Sequence, residues 1–371
     1  MEKRKLGKTG LEVSLIGFGG FHLLEIPAER AQKLLNKYID MGGNYIETAA
    51  DYGDGESERK IGPVIKKRRD EVVLASKTGS RIKEGALRDV NRTLDNLKTD
   101  HLDILFMHAV KSFEELETIF SEGGAYEAYL ELKEAGKVNN LGISMHGQPD
   151  VLIKALKKDK FDVVMATFNY FDKFNFPKLE NELLPLAQAK NVGIVLMKAL
   201  ADGFLWRSAE TAFRYAFSLP VSIVVTGINT EEMIKEDISY ANNYIPMSEE
   251  EKQDLYMNAP ELGNYVCRQC DECVDCPEDI DIKEIFKLEG YYDRQMRDGK
   301  VRNPADFALR DRLRFWFEGE EKARSLYQEL DVKANQCTNC KECINQCPYD
   351  LPIVEKLDIA HYKLSGEDVL F

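Results

Sequence analysis

The first 266 residues of the chain contain no cysteine, and all eight cysteines fall between Cys267 and Cys347. A disulfide scaffold is normally small, secreted and cysteine-dense, so this distribution excludes one and points to metal ligation in the last third. Long apolar runs are also missing. Nothing approaches the roughly 18–20 residues of a membrane helix, and no apolar stretch follows the charged N-terminal residues as a secretion signal requires. The expectation is a cytoplasmic protein without a membrane span. A basic excess is absent too: the net charge is −14, which disfavours nucleic acid or an anionic membrane as partner, because phosphates need a basic surface. Apolar residues at 44% and charged residues at 31% exclude a mainly disordered chain.

What the first two-thirds does contain is an alternation. Apolar or β-branched runs at residues 15–18, 45–48, 72–76, 102–107, 140–144, 163–168, 193–197 and 223–226 predict eight strands. Helical patterns lie between them at 28–41, 86–97, 125–135, 149–156, 179–190 and 209–219. This alternation predicts an α/β fold, a (β/α)8 TIM barrel, rather than a doubly wound open sheet. Gly17-Phe18-Gly19-Gly20 is only a fragment of the glycine fingerprint of dinucleotide-binding open sheets. Residues 5–13 hold two glycines between short apolar stretches and predict a hairpin sealing one barrel end. A stop at residues 245–247 before Ser248 predicts a new helix with Ser248 as its N-cap. The expected domains are a barrel over 1–254 and a mostly helical domain carrying all eight cysteines over 255–371.

The cysteines form two runs, Cys267, Cys270, Cys273 and Cys276, then Cys337, Cys340, Cys343 and Cys347, each ending in Cys-Pro. The second run has the bacterial ferredoxin spacing, in which three thiolates wrap one cluster and the fourth reaches the neighbouring one. On that logic Cys267, Cys270, Cys273 and Cys347 hold one [4Fe–4S] cluster, and Cys337, Cys340, Cys343 and Cys276 hold the other. Two zinc sites are the alternative, but zinc knots usually separate two pairs by a loop.

In the barrel, Glu47, Lys77 and His108 stand at or just past the ends of three successive predicted strands, with Tyr52 shortly after the first. Parallel barrels carry catalysis on that face. Tyr52 is a candidate general acid. A Lys77 ammonium would lower its pKa, Glu47 would hold Lys77, and His108 would orient a substrate carbonyl. Trp206, Tyr170 and Phe171 follow strands, as pocket lining or as core.

The residues Lys5–Leu11, 44–53, Ser76-Lys77, Met107-His108, 141–144 and 225–227 together resemble the aldo-keto reductase superfamily, and the cysteine region is similar to that of its iron–sulfur branch. The resemblance implies a (β/α)8 oxidoreductase with an acid, tyrosine, lysine and histidine tetrad. It implies a nicotinamide cofactor near Gly19, Ser144, Gly227 and Asn229, two [4Fe–4S] clusters, a small carbonyl or alcohol substrate, and a ferredoxin or other redox partner. Three departures stand out. Glu47 replaces the family aspartate, Met145 and Met165 stand at the amide-binding positions, and the loop after Gly227 reads Ile228-Asn229-Thr230-Glu231-Glu232. Two acids there favour NAD over NADP if either binds. Two other readings stay open: an enzyme fed through its clusters without nicotinamide, and an electron-transfer or binding subunit with an idle barrel.

Overall fold

The computed structural model describes residues 1–147, 149–273, 275–296 and 319–366. Two short strands open the chain, β1 (Lys3–Lys5) and β2 (Glu12–Ser14), paired antiparallel. The chain reverses between them through Gly10, whose φ of 79° is cheap only for glycine. Leu6 and Val13 from this hairpin enter the barrel's core cluster, so the hairpin seals the end where the strands start, as expected.

The barrel strands are β3 (Ile16–Gly19), β4 (Tyr45–Glu47), β5 (Val73–Thr78), β6 (Leu102–Met107), β7 (Val138–Met145), β8 (Val163–Thr167), β9 (Gly193–Met197) and β10 (Ile223–Gly227). They close in that order, β10 pairing with β3, and every neighbouring pair is parallel. Val73 and Ala75, Ile104 and Phe106, Val163 and Met165, and Ile223 and Val225 share the core cluster, two residues apart on each strand. That is the strand period, and it fills the barrel with side chains instead of leaving a pore. The outer helices bury one stripe each: Ala28–Asp40 buries Ala31, Leu34, Leu35, Tyr38 and Ile39.

All eight expected strands are present. Helical details differ from the sequence pattern, among them a helix at Phe113–Phe120, capped by Ser112, that the pattern does not mark. Glu56–Arg68 is a helix despite Pro63 in its interior, a residue that removes a ladder hydrogen bond and masks the helical signal. Residues 179–190 are not one continuous α-helix. A π-turn over Leu179–Leu183 precedes Leu184–Ala189, at the point where Pro185 cannot donate.

The chain divides into two compact units. One comprises Met1–Phe168, Lys178–Ala199 and Glu210–Pro246; the other comprises Asn169–Pro177, Leu200–Ala209 and Met247–Phe371. The division departs from a single cut at 254/255. The segments that follow β8 and β9 belong to the second unit because Arg294, 1% exposed there, pairs with Asp172 and Asp202. Within the second unit, Ser248 caps the helix Glu249–Asn258 through a reciprocal box with Glu251. The helices Ile282–Asp293, Gly319–Gln328 and Ile353–Ser365 enclose Glu289, which is bonded to Lys356 and Lys363. No helix among the described residues is long and apolar enough to cross a membrane.

Candidate functional site

In the first unit, β4 ends in Glu47, β5 carries Lys77, and His108 directly follows β6. Parallel pairing puts these at the same end of adjacent strands. Lys77 is 2% exposed. Its Nζ pairs with Glu47 Oε2, donates to the Thr48 carbonyl at 2.8 Å, and donates to the Tyr52 hydroxyl at 3.2 Å. The longer Glu47 side chain therefore still reaches Lys77. Nζ also lies 4.8 Å from the centre of the Tyr52 ring. The rings of Phe21 and His108 meet Tyr52 edge-on at 5.2 and 5.7 Å. The four expected catalytic residues thus form one contiguous group.

Electrostatics in this group differ from the expectation in one respect. Burial pushes the Tyr52 phenol well above its ordinary value, and Asp51 adds to the rise. The expected lowering by Lys77 is absent, and burial holds Lys77 itself well below the usual lysine range. Burial lowers His108 too, against the opposing pull of Asp51. Burial therefore favours the neutral phenol of Tyr52, the form that carries a proton to give.

Asp51 reads in the sequence as a loop surface charge. In the fold its Oδ2 lies 3.3 Å from His108 Nδ1, and His108 holds its carboxyl below the ordinary range. The only sequence signal was its position next to Tyr52.

The residues expected around a nicotinamide are committed to other partners. The Ser144 hydroxyl accepts from the Ala109 amide at 3.0 Å and donates to the Met107 carbonyl at 3.4 Å, which steadies the turn carrying His108. Gly19 is buried, and a Cβ there would meet the Thr226 carbonyl at 2.8 Å, so strand packing accounts for it. At Gly227 a Cβ would collide with the His22 ring. The Asn229 amide donates to Glu25 at 2.7 Å. Met145 and Met165 are each 2% exposed and bring thioethers where amide partners were expected. These residues do not fit amide recognition of the expected kind.

Tyr170, Phe171 and Trp206 lie in the second unit. Tyr170 donates to Glu261 at 3.1 Å, Phe171 stacks on Phe204, and Trp206 is 60% exposed.

The cysteine runs, also in the second unit, are folded alike. Gln269 and Asp271 flank Cys270 with φ of 58° and 68°, and Asn339 and Lys341 flank Cys340 with φ of 59° and 65°. Asp279 and Asp350, three residues past Cys276 and Cys347, repeat the left-handed turn with φ of 55° and 51°. Such conformations are costly for residues with a Cβ, and here they wrap each run tightly. Each run then leads into a helix, Ile282–Asp293 or Ile353–Ser365.

Between them the runs enclose two hollows. Cys267, Cys270, Cys273 and Cys347 line one, and Cys276, Cys337, Cys340 and Cys343 line the other. Among the described residues no group of three or more His, Cys, Asp or Glu is arranged to hold a single metal ion. Burial pushes the Cys267 and Cys343 thiols up to about 11 and Cys273 to about 12. Four thiols facing one hollow is the donor set of a four-iron cluster, so these residues fit that group.

Comparison with known proteins agrees with this architecture. Residues 15–215 match the model of the Aldo/keto reductase family, and residues 266–352 match that of a 4Fe-4S dicluster domain. The chain is 28% identical to the uncharacterized oxidoreductase YqkF of Bacillus subtilis (strain 168) over 316 residues, 69% of this chain and 98% of that protein. It is 31% identical to L-galactose dehydrogenase of Arabidopsis thaliana over 223 residues, 55% and 67% of the two chains. The holo form of aldo-keto reductase AKR11C1 from Bacillus halodurans superposes with a TM-score of 0.60 at 26% identity, covering 68% of this chain and 94% of that one. The chain belongs to the aldo/keto reductase family and is an oxidoreductase with a 4Fe-4S dicluster domain following its barrel.

Proposed function

We propose that the barrel acts on a small carbonyl or alcohol substrate, with Tyr52 moving the proton at the substrate oxygen. The observation that carries this is the Tyr52 hydroxyl 3.2 Å from Lys77 Nζ, with the His108 ring against it. Tyr52, held protonated by burial, donates to the carbonyl oxygen as negative charge grows there. Glu47 and the Thr48 carbonyl favour the Lys77 ammonium against the opposing effect of burial, and that ammonium stabilises the resulting phenolate and returns the proton. His108, oriented by Asp51, hydrogen-bonds the same oxygen. In the oxidative direction the proton path reverses. Reduction of a carbonyl to an alcohol takes two electrons: a bound nicotinamide would supply them together as hydride, and the clusters would supply them one at a time. Glu231 and Glu232 beside Asn229 favour NAD over NADP, since a 2′-phosphate would be repelled.

In the second unit we assign Cys267, Cys270, Cys273 and Cys347 to one [4Fe–4S] cluster and Cys276, Cys337, Cys340 and Cys343 to the other. The two four-thiol hollows support this. A ferredoxin or other one-electron carrier is the partner such clusters would serve, in a reducing compartment such as the cytoplasm.

The test is anaerobic reconstitution followed by turnover of a carbonyl panel with NADH, NADPH or reduced ferredoxin. Tyr52→Phe abolishes turnover on this reading, and a variant as active as the parent overturns it. Quenching of protein fluorescence by NADH but not NADPH supports NAD. No response to either, with turnover from ferredoxin, supports the cluster-fed reading that Met145 and Met165 favour. Iron near the eight atoms that two four-iron clusters require supports the cysteine assignment, and fewer than about seven defeats it.

A further inference from the structure

Arg268 lies between Cys267 and Cys270 in sequence and is only 5% exposed. A buried guanidinium is normally matched by a carboxylate, because an uncompensated charge out of water is costly. Arg268 has no carboxylate partner among the described residues. Its Nε donates to the Tyr256 carbonyl at 3.1 Å, Nη1 to the carbonyls of Leu262 at 3.4 Å and Val266, and Nη2 to that of Gly263 at 2.6 Å. The guanidinium carbon stands 4.9 Å from the centre of the Tyr349 ring. Every acceptor is neutral, so the charge is solvated by the protein without being cancelled. Arg268 lines the hollow of Cys267, Cys270, Cys273 and Cys347.

A second cation stands behind the same thiols. Lys356 is fully buried, within electrostatic reach of Cys267, its Nζ 3.9 and 4.4 Å from the ring centres of Tyr265 and Phe286. It is neutralised within a closed group, since Glu289 takes both Lys356 and Lys363, and Lys363 pairs with Asp293. Arg268 is therefore the surplus charge. The other charges lining this hollow are Lys283, which is paired with Asp271, and Glu272; Asp271 and Glu272 are exposed.

Among the described residues, the hollow of Cys276, Cys337, Cys340 and Cys343 has no such cation lining it. Its charged lining is Lys341, which is exposed, and Glu278, which accepts from Thr338 at 3.1 Å. Exposed charges are screened by salt, and buried ones much less.

We infer that Arg268 makes the cluster at Cys267, Cys270, Cys273 and Cys347 the easier of the two to reduce, so that an electron entering this unit comes to rest there. Each cluster takes one electron from a low-potential one-electron donor, and no bond is made or broken. The added negative charge is what a nearby buried cation stabilises. Burial alone acts the other way: Cys267 and Cys273 are buried whereas Cys340 is exposed, and a dry environment resists added charge. Removing Arg268 should therefore lower this cluster selectively. The inference rests on the cluster assignment proposed for the eight cysteines.

The experiment is a dithionite titration of the reconstituted full chain, followed by the electron paramagnetic resonance of the reduced clusters. The expected result is two one-electron waves, at least tenfold apart in reduction equilibrium, about 59 mV. In Arg268→Gln the upper wave falls by at least that amount while the lower stays, and Arg268→Lys keeps the separation. Should Arg268→Gln fail to fold, the parent protein still decides: a separation that survives 1 M salt marks a buried charge. Coincident waves, a separation lost in salt, or equal movement of both waves in Arg268→Gln overturns the inference. An iron content well below eight would overturn the cluster assignment instead.

Discussion

The Asp51 carboxylate lies 3.3 Å from His108 Nδ1, joining a loop acid to the imidazole that meets the Tyr52 ring. Asp51 is 56% exposed, so the pair is partly screened and worth at most about 1 kcal/mol. Asp51→Asn should lower kcat/KM by about fivefold or less. It should also shift the His108 titration to lower pH, because Asp51 opposes the lowering by burial. Steady-state kinetics and a histidine-resolved NMR titration check this. An unmoved His108 titration would show that the contact does not orient the ring.

The Lys77–Glu47 pair makes a different prediction because both partners are buried, at 2% and 7%. Breaking such a pair leaves one uncompensated charge and costs about 3–5 kcal/mol. Lys77→Met should therefore lower the unfolding midpoint sharply, and Lys77→Met with Glu47→Leu should recover most of the loss. Denaturant unfolding of the single and double variants measures it. A single variant as stable as the parent would show that Glu47 is neutralised another way.

How much of this was legible in the sequence depends on whether the information is local. The strands were legible because Val73 and Ala75, or Ile104 and Phe106, repeat at the strand period. The cysteine runs were legible because cluster ligation imposes a fixed spacing. Contacts between residues far apart in the chain were not. Asp51 and His108 are 57 residues apart, and nothing in either neighbourhood announces the pairing. The rise in the Tyr52 pKa is hidden from the sequence because charge is visible there and burial is not. Gly19 read as room for a cofactor, whereas it is room for the Thr226 carbonyl on a neighbouring strand.

Arg294 illustrates the same limit in the second unit, and it yields a stability prediction. It is 1% exposed, with Nε 2.7 Å from Asp172, Nη2 3.0 Å from Asp202, and Nη1 donating to the Ala201 carbonyl at 3.0 Å. Asp172 is itself 1% exposed. Arg294→Met should cost about 3–5 kcal/mol by stranding that carboxylate. Arg294→Lys should not restore it, because one ammonium cannot reproduce the guanidinium fork. Denaturant unfolding and limited proteolysis of iron-loaded protein test this. Parent-like resistance of Arg294→Met would mean that the segments Asn169–Pro177 and Leu200–Ala209 are held by their apolar contacts alone.

Asp237 gives the clearest dependence on pH. It lies in the helix Glu231–Asn243, and burial raises its carboxyl from 3.8 to about 7. The folded state then binds more protons than the unfolded state between those values. The stabilising contribution is fully present below the unfolded pKa and is lost as pH rises through about 7. Asp237→Asn keeps the shape and removes the titration. Its advantage over the parent should grow between pH 5.5 and 7 by up to about 2 kcal/mol, then stay level to pH 8.5, since each pKa unit is worth about 1.4 kcal/mol. Thermal midpoints of both proteins across that range measure it. A difference that does not vary with pH would show that Asp237 carries its charge in the folded barrel.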